Sequence, residues 1–268
     1  MKAGYTHVLD ADLKAYFDSI PHASLMREVR RNIADGRLLK LIESFLDQDI
    51  LDGLSRWTPE KGTPQGAVIS PLLANLYLHP VDEAMEAAGY QMIRYADDFV
   101  IMCRDEAEAN NALQAVQQLI TERGLVLHPE KTRVVDTTKA GAGFDFLGYH
   151  FERGTRWPRK KSLKKFKDTI RSQTGRSNGH SLSDITANMN RTLKGWFEYY
   201  KHSHKWTFPM LDGWIRRRLR SILRKQSKRA KGISGNIDHF RWPNKFFQEL
   251  GLFSLEGAHA LLIQSSRR

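Results

Sequence analysis

An α+β fold is predicted for this chain of 268 residues, and three features carry the prediction. Short apolar runs of strand character alternate with amphipathic helical stretches through the first part of the sequence. Glycine-punctuated turns separate them. After about residue 153 the composition changes, and basic helical sequence replaces the alternation.

The elements follow in order. "THVLDADLKAYFDSI" opens with a strand-like segment. "HASLMREVRRNIADGRLLKLIESFLDQDIL" then spaces Leu25, Val29, Ile33, Leu38, Leu39, Ile42 and Phe45 as one or two amphipathic helices would. A turn, "PEKGTPQGAVISP", leads to a helix in "LLANLYLHPVDEAMEAAG" that ends near Gly89. "IRYADDFVIM" reads as two short β-rich segments joined at an acidic turn, a hairpin. A further helix follows in "DEAEANNALQAVQQLITERGL", with Leu113, Val116, Leu119 and Ile120 as its apolar stripe. "VVDTTKAGAGFDFLGYHFE" is the second expected hairpin, with Gly141 and Gly143 in its loop. Beyond it come a basic helix, a Gly- and Ser-rich loop, and a helix in which Leu211, Trp214, Ile215, Leu219, Ile222 and Leu223 form a stripe among arginines.

Composition narrows the function. The formal charge of +12 is unevenly distributed: residues 1–150 carry 15 Lys and Arg against 22 Asp and Glu, net −7, whereas residues 151–268 carry 27 against 8, net +19. A strongly basic second part points to a polyanionic partner, nucleic acid above all. One cysteine, Cys103, excludes a disulfide scaffold and a multi-cysteine zinc site, and is read as a buried structural thiol in a reducing compartment. The N-terminus lacks the apolar core of a secretion signal and no window has the length of a membrane span, so a cytoplasmic protein without a membrane partner is expected.

The adjacent acids of "YADD" raise the question of chemistry. A buried carboxylate without a partner is costly, so Asp97 and Asp98 must occupy a turn, meet cations, or both. Mg²⁺ takes hard oxygen ligands, one or two carboxylates per ion plus substrate phosphates. Two such ions can activate an attacking hydroxyl and stabilise a leaving oxygen. A hairpin tip offers Asp97 and Asp98; a third acid from a neighbouring strand end could be Asp10, Asp12 or Asp18.

Five stretches in order, "DLKAYFDSI" at 12–20, "GTPQGAVISPLLANLYLH" at 62–79, "YADD" at 95–98, "LHPEKTRVV" at 127–135 and "FDFLGYHF" at 144–151, resemble the palm motifs of a reverse transcriptase. "LKGWFEYYKHSHKWTFPMLDGWIRRRLRSIL" at 193–223 is similar to the thumb, or maturase-specific domain, of group II intron reverse transcriptases. The resemblance implies a right-hand polymerase: an antiparallel palm sheet with helices on one face over residues 1–153, a helical thumb over 154–235, and a C-terminal extension over 236–268. It implies that Asp12, Asp97 and Asp98 ligate two Mg²⁺ ions, with Mn²⁺ as a substitute. Phe17, five residues after Asp12, would be the aromatic gate that excludes a 2′-hydroxyl. Gln65, Gly66 and Tyr95 would contact the incoming nucleotide, and Lys131 would donate a proton to the departing pyrophosphate or neutralise it.

In the second part, Arg216, Arg217, Arg218, Arg220 and Arg224 are expected to grip phosphate. Trp196, Phe197, Tyr199, Tyr200, Trp206 and Trp214 suit either a helical core or a base-stacking platform. The implied partners are intron RNA, primer-template nucleic acid and dNTPs. Members of the family carry a fingers region before the first metal aspartate, and here eleven residues precede Asp12. A fingers-less polymerase is therefore expected, with a separate fingers-containing polypeptide as a candidate partner. A polymerase-inactive, RNA-binding maturase remnant is the other reading of the same residues.

Overall fold

The computed structural model describes residues 4–48, 50–52, 55–57, 61–63, 67–175, 179–227 and 235–265. The chain divides into two compact units, Met1–Phe146 with Glu152–Gly154, and Leu147–Phe151 with Thr155–Arg268.

In the first unit, β1 (His7–Asp12) is followed by the short helix α1 (Tyr16–Ser19), then α2 (His22–Asn32) and α3 (Gly36–Leu46). The expected helical stretch thus forms two helices; Asp35 caps α3 by accepting from the N–H groups of Arg37 and Leu38. A small ribbon of β2 (Ile50–Asp52) and β3 (Ser55–Trp57) leads on to α4 (Ser70–Ala87), which runs through Pro80 without ending there. β4 (Gln91–Tyr95), β5 (Asp98–Cys103), α5 (Glu106–Glu122), β6 (Arg133–Asp136) and β7 (Phe144–Phe146) complete the unit.

The sheet has the order β4-β5-β1-β6 and is antiparallel throughout. Its pleat sorts "VLDADL" by period two. Leu9, Ala11 and Leu13 join Phe99, Ile101 and Cys103 in a core shared with α2, α3, α4 and α5, while Val8, Asp10 and Asp12 point to the opposite face. One face of the sheet thus holds the helices and the other carries the acids. Leu25, Val29 and Ile42 are buried as their spacing predicts, but Leu38 and Phe45 stay exposed on α3.

The second expected hairpin does not form as drawn. β6 pairs with β1, so "VVD" belongs to the main sheet, and Gly141 and Gly143 lie in a connecting loop. The tight turns fall instead at Leu147–Gly148 and Arg153–Gly154, where both central residues of each pair take positive φ, as a two-residue hairpin turn requires. Pairing of β6 with the longer β1 outweighs the glycine signal further along.

The second unit contains β8 (Tyr149–Glu152) up to Phe151 and β9 (Thr155–Pro158) and continues as helices α6 (Lys160–Gln173), α7 (Leu182–Tyr200), α8 (Thr207–Gln226), α9 (Gly235–Arg241), α10 (Asn244–Glu249) and α11 (Leu255–Ser265). Every fourth residue of α7, Ile185, Met189, Leu193 and Phe197, is buried against Leu211, Ile215, Leu219 and Ile222 of α8. The buried carboxylate of Asp212 accepts from the N–H groups of Leu255 and Glu256 and from the Ser254 hydroxyl, capping α11 from a distant helix. Phe247 of α10 and Leu255 of α11 join this core.

Candidate active site

The strand register decides where the acids meet. Asp12 closes β1 and Asp98 opens β5, and the two are direct partners in the antiparallel ladder. Their carboxylates share the helix-free face. Tyr95 pairs with Asp98 at the end of β4, leaving Ala96 and Asp97 as the two residues of the turn. Ala96 takes a φ of 56°, a conformation that costs a residue with a Cβ and that glycine normally fills. The turn that brings Asp97 beside Asp12 and Asp98 is therefore strained.

Three basic groups surround this corner of the sheet, and Lys131 is the one paired with an acid of the set. The segment after α5 is zipped to the end of β1: Lys14 N–H donates to Val126 O at 2.9 Å, and His128 N–H to Asp12 O at 2.7 Å. The following turn brings the Lys131 ammonium onto the Asp12 carboxylate as an ion pair. That bond and the charge of Asp12, reinforced by Asp97 and Asp98, raise the Lys131 pKa above its ordinary value. One residue pair further on, Asp10 faces Arg133 in the β1–β6 register and bonds its Nε at 3.2 Å. Burial raises the Asp10 pKa despite the opposing pull of Arg133. Asp10 is thus occupied by a structural partner.

The third basic group is one that sequence reasoning missed. Arg94, whose side chain is only 10% exposed, bonds Asp82 of α4 through Nε at 2.7 Å and through a second, bidentate contact. Its Nη1 donates to Asn75 Oδ1 at 2.9 Å and to the carbonyl of Ala96 at 3.0 Å. The guanidinium therefore ties the strained turn to α4. Arg94 directly precedes "YADD", but its helix-borne partners are not visible from the string.

The donor set suits a hard divalent cation, since it consists of carboxylate oxygens, and one of them already holds an ammonium. Among the described residues, no three His, Cys, Asp or Glu side chains form a metal cage of their own. A site completed by substrate phosphates needs none.

Beside the turn lies a cavity of about 710 Å³ lined by Phe17, Pro71, Asn75, Met92, Tyr95 and Ala96, among others. Phe17 packs partly against the core next to Tyr16, whose hydroxyl donates to Ala74 O at 2.5 Å. Gln65 and Gly66 lie outside the described residues. The segment just before them is anchored to α1 and its C-cap by Gly62 N–H to Ile20 O and Thr63 N–H to Phe17 O, at 2.7 and 2.6 Å. Gly62 has φ +93°, and a Cβ there would stand 3.0 Å from the Asp18 backbone, so only glycine allows this approach.

The arginines of α8, expected to grip phosphate, differ in their surroundings. Arg220 is 3% exposed and donates to Trp242 O and Asn244 Oδ1, both at 2.9 Å, with its guanidinium over the Phe247 ring. Arg218 bonds Thr174 Oγ1 at 2.7 Å and Thr174 O at 3.2 Å, closing the C-terminus of α6. Arg224 is ion-paired with buried Asp238, and Arg216 stands 3.9 Å from Asp212. Arg217 is the exposed member. Three of the five, Arg218, Arg220 and Arg224, hold α8 to α6, α9 and α10, whereas Arg216 pairs within α8 itself. The aromatic set also divides: Phe197 and Tyr200 are buried, while Tyr199 and Trp206 are exposed at 53% and 63%.

Comparison with known proteins fits this geometry. Residues 1–151 match the family described as "Reverse transcriptase (RNA-dependent DNA polymerase)", and residues 163–242 match "Group II intron, maturase-specific domain". The chain is 30% identical over 184 residues to Protein YkfC of Escherichia coli, covering 54% of this chain and 47% of that protein. It is 39% identical over 75 residues to the group II intron-encoded protein LtrA of Lactococcus lactis, covering 28% and 12%. Among solved structures, apo telomerase from Candida tropicalis aligns with a TM-score of 0.53 at 11% identity, over 83% of this chain and 42% of that one, a likeness of fold. The chain spans less than half the length of each of these proteins. No helix among the described residues is long and apolar enough to cross a membrane.

Proposed function

Because the chain belongs to the reverse transcriptase (RNA-dependent DNA polymerase) family and carries a group II intron maturase-specific domain, we propose that it extends a primer 3′-hydroxyl with dNTPs on an RNA template and binds intron RNA to assist splicing. Residues 1–153 would serve as palm, 154–235 as thumb and 236–268 as its extension. What supports the catalytic reading above all is the register that sets Asp12 against Asp98, with Asp97 in the adjoining turn.

Asp12, Asp97 and Asp98 would hold two Mg²⁺ ions, with Mn²⁺ as a substitute. When bound, these supply Lewis-acid activation of the primer hydroxyl and charge stabilisation on the leaving oxygen. Lys131, now paired with Asp12, would neutralise the departing pyrophosphate or donate a proton to it. Phe17 would pack against the sugar and exclude a 2′-hydroxyl, with Tyr95, Gln65 and Gly66 against the nucleotide. Arg94 would position the turn through Ala96 without touching substrate.

The test is primer extension on an RNA template with dNTPs and Mg²⁺, alongside RNA binding by anisotropy. Asp97→Asn is expected to abolish extension and spare RNA binding. Equal extension by parent and Asp97→Asn would overturn the assignment of the acids. RNA binding without any extension by the parent would favour the maturase remnant.

A further inference from the structure

In the second unit a cavity of about 420 Å³ opens between α6 and α7. It is within the roughly 300–1,000 Å³ range of small-ligand sites. One face of α6 lines it with Ser162, Lys165 and Thr169, Arg159 stands at the helix N-cap, and α7 contributes Thr192 and Trp196. Among the described residues that line it there is no carboxylate. These side chains carry two cations, an indole N–H and three hydroxyls, of which those of Ser162 and Thr169 already donate to Gly148 O and Lys165 O. Among the described residues, Arg159 Nε and Trp196 Nε1 are buried without a hydrogen-bond partner.

Such donors are costly to leave unpaired, and indole and guanidinium groups can only donate. The Trp196 ring cannot move away to find a partner. It is stacked between Phe166 at 4.5 Å and Tyr200 at 4.8 Å, which fixes the N–H direction. Tyr200 reaches this position over Gly148, where a Cβ would stand 2.8 Å from its hydroxyl. At the rim, Tyr199 is held by its hydroxyl on Leu147 O at 2.7 Å and exposes an aromatic surface.

We propose that this cavity binds one nucleotide of single-stranded RNA, its phosphate received by Arg159, Lys165 and the Trp196 indole, with Tyr199 as a surface for the base. The inference rests on reading the second unit as an RNA-binding element, and names where a strand enters it. Phosphate is the ligand that several converging donors without a competing acid select, and an exposed ring beside it is the sequence-tolerant stacking surface of single-strand binders.

The experiment uses the full chain labelled with ¹⁵N at tryptophan indoles, titrated with inorganic phosphate, uridine 5′-monophosphate and a short oligouridine. The Trp196 resonance is assigned by its disappearance in Trp196→Phe, which keeps the ring stack and removes the donor. That resonance is expected to shift with all three probes, most at the lowest concentration of oligouridine. Arg159→Gln should weaken oligouridine binding by on the order of 10-fold and flatten its log-salt slope by about 0.7 for each phosphate no longer neutralised. Arg217→Gln should leave the Trp196 shift intact. An unmoved Trp196 resonance, with RNA binding unchanged in Arg159→Gln and Trp196→Phe, would overturn the pocket and leave the RNA-binding reading standing. A parent chain that binds no RNA would overturn both. A shift with free phosphate and monophosphate but not with oligouridine would overturn the strand assignment and leave a small-anion site.

Discussion

Asp12 and Asp98 face each other across two hydrogen-bonded strands, an arrangement that repels unless a cation sits between or beside them. Lys131 is that cation in the present structure. Mn²⁺ is therefore expected to compete with the ammonium, and binding measured by paramagnetic relaxation with primer, template and nucleotide should weaken in Asp97→Asn and Asp12→Asn but not in Asp18→Asn. Identical relaxation in all of them would remove the metal assignment. Two other groups contribute to the pH dependence of stability. Thr138 bonds hold Asp136 down at about 2 from an ordinary 3.8, so its contribution is present above about pH 4 and lost as pH falls toward 2. Asp136→Asn should flatten the acid limb of a urea-unfolding series at these pH values. Burial lifts the Cys103 thiol to about 11 from 9.0, so the folded state holds its proton longer than the unfolded chain and loses stability as pH rises from 9 toward 11. Iodoacetamide at about pH 8 should accordingly modify Cys103 slowly in the native protein and fast in urea.

At the scale of elements, the β4–β5 hairpin is held by its neighbours rather than by its own turn. Ala96 is the residue least suited to its backbone conformation, and Arg94 carries the compensating bonds to α4. Ala96→Val is expected to cost about 1–2 kcal/mol in urea unfolding, and Ala96→Gly to cost little or to stabilise. Asp82→Asn leaves a mostly buried guanidinium short of its charge partner and should cost about 3 kcal/mol. In the proposed polymerase it should lower the extension rate more than it raises the Km for dNTP. A rate that returns to the parent value once corrected for the fraction of folded sites would mean stability alone is affected. On α8, Arg220→Gln is expected to destabilise by about 2 kcal/mol or more through the removal of its bonds to Trp242 and Asn244. Arg217→Gln should leave stability within about 0.5 kcal/mol. Denaturant midpoints separate the two directly.

Over the whole molecule, charge and shape are divided between two units of different composition. Asp10, Asp12 and Asp98 lie on the sheet face that the helical core leaves clear. The excess of basic residues lies in the part of the chain that forms the second unit, although several of its arginines are spent on internal bonds. RNA affinity is therefore expected to fall linearly with log salt, with a slope set by fewer phosphates than the net charge of +19 suggests. A slope matching the full basic count would show that the intramolecular pairs open on binding.

Much of this was legible in the string because it depends on local spacing. Period two in "VLDADL" and "DFVIMC" separates acids from core, and fourfold spacing in α7 and α8 marks the helical core; neither needs a distant partner to be recognised. The order of short motifs likewise carries the family resemblance. The resemblance implied Asp12, Asp97 and Asp98 as a set, but how Asp12 and Asp98 come to face each other is decided by strand register, a tertiary fact. Tertiary structure also moved the second hairpin turn to Leu147–Gly148 and gave Arg94 its role through Asp82 and Asn75. The arginines of α8 show the reason most plainly. A helical wheel displays Arg218, Arg220 and Arg224 as basic residues beside the apolar stripe, but Thr174, Trp242, Asn244 and Asp238 come to them from other parts of the unit, and a charge is free for a ligand only if folding leaves it so.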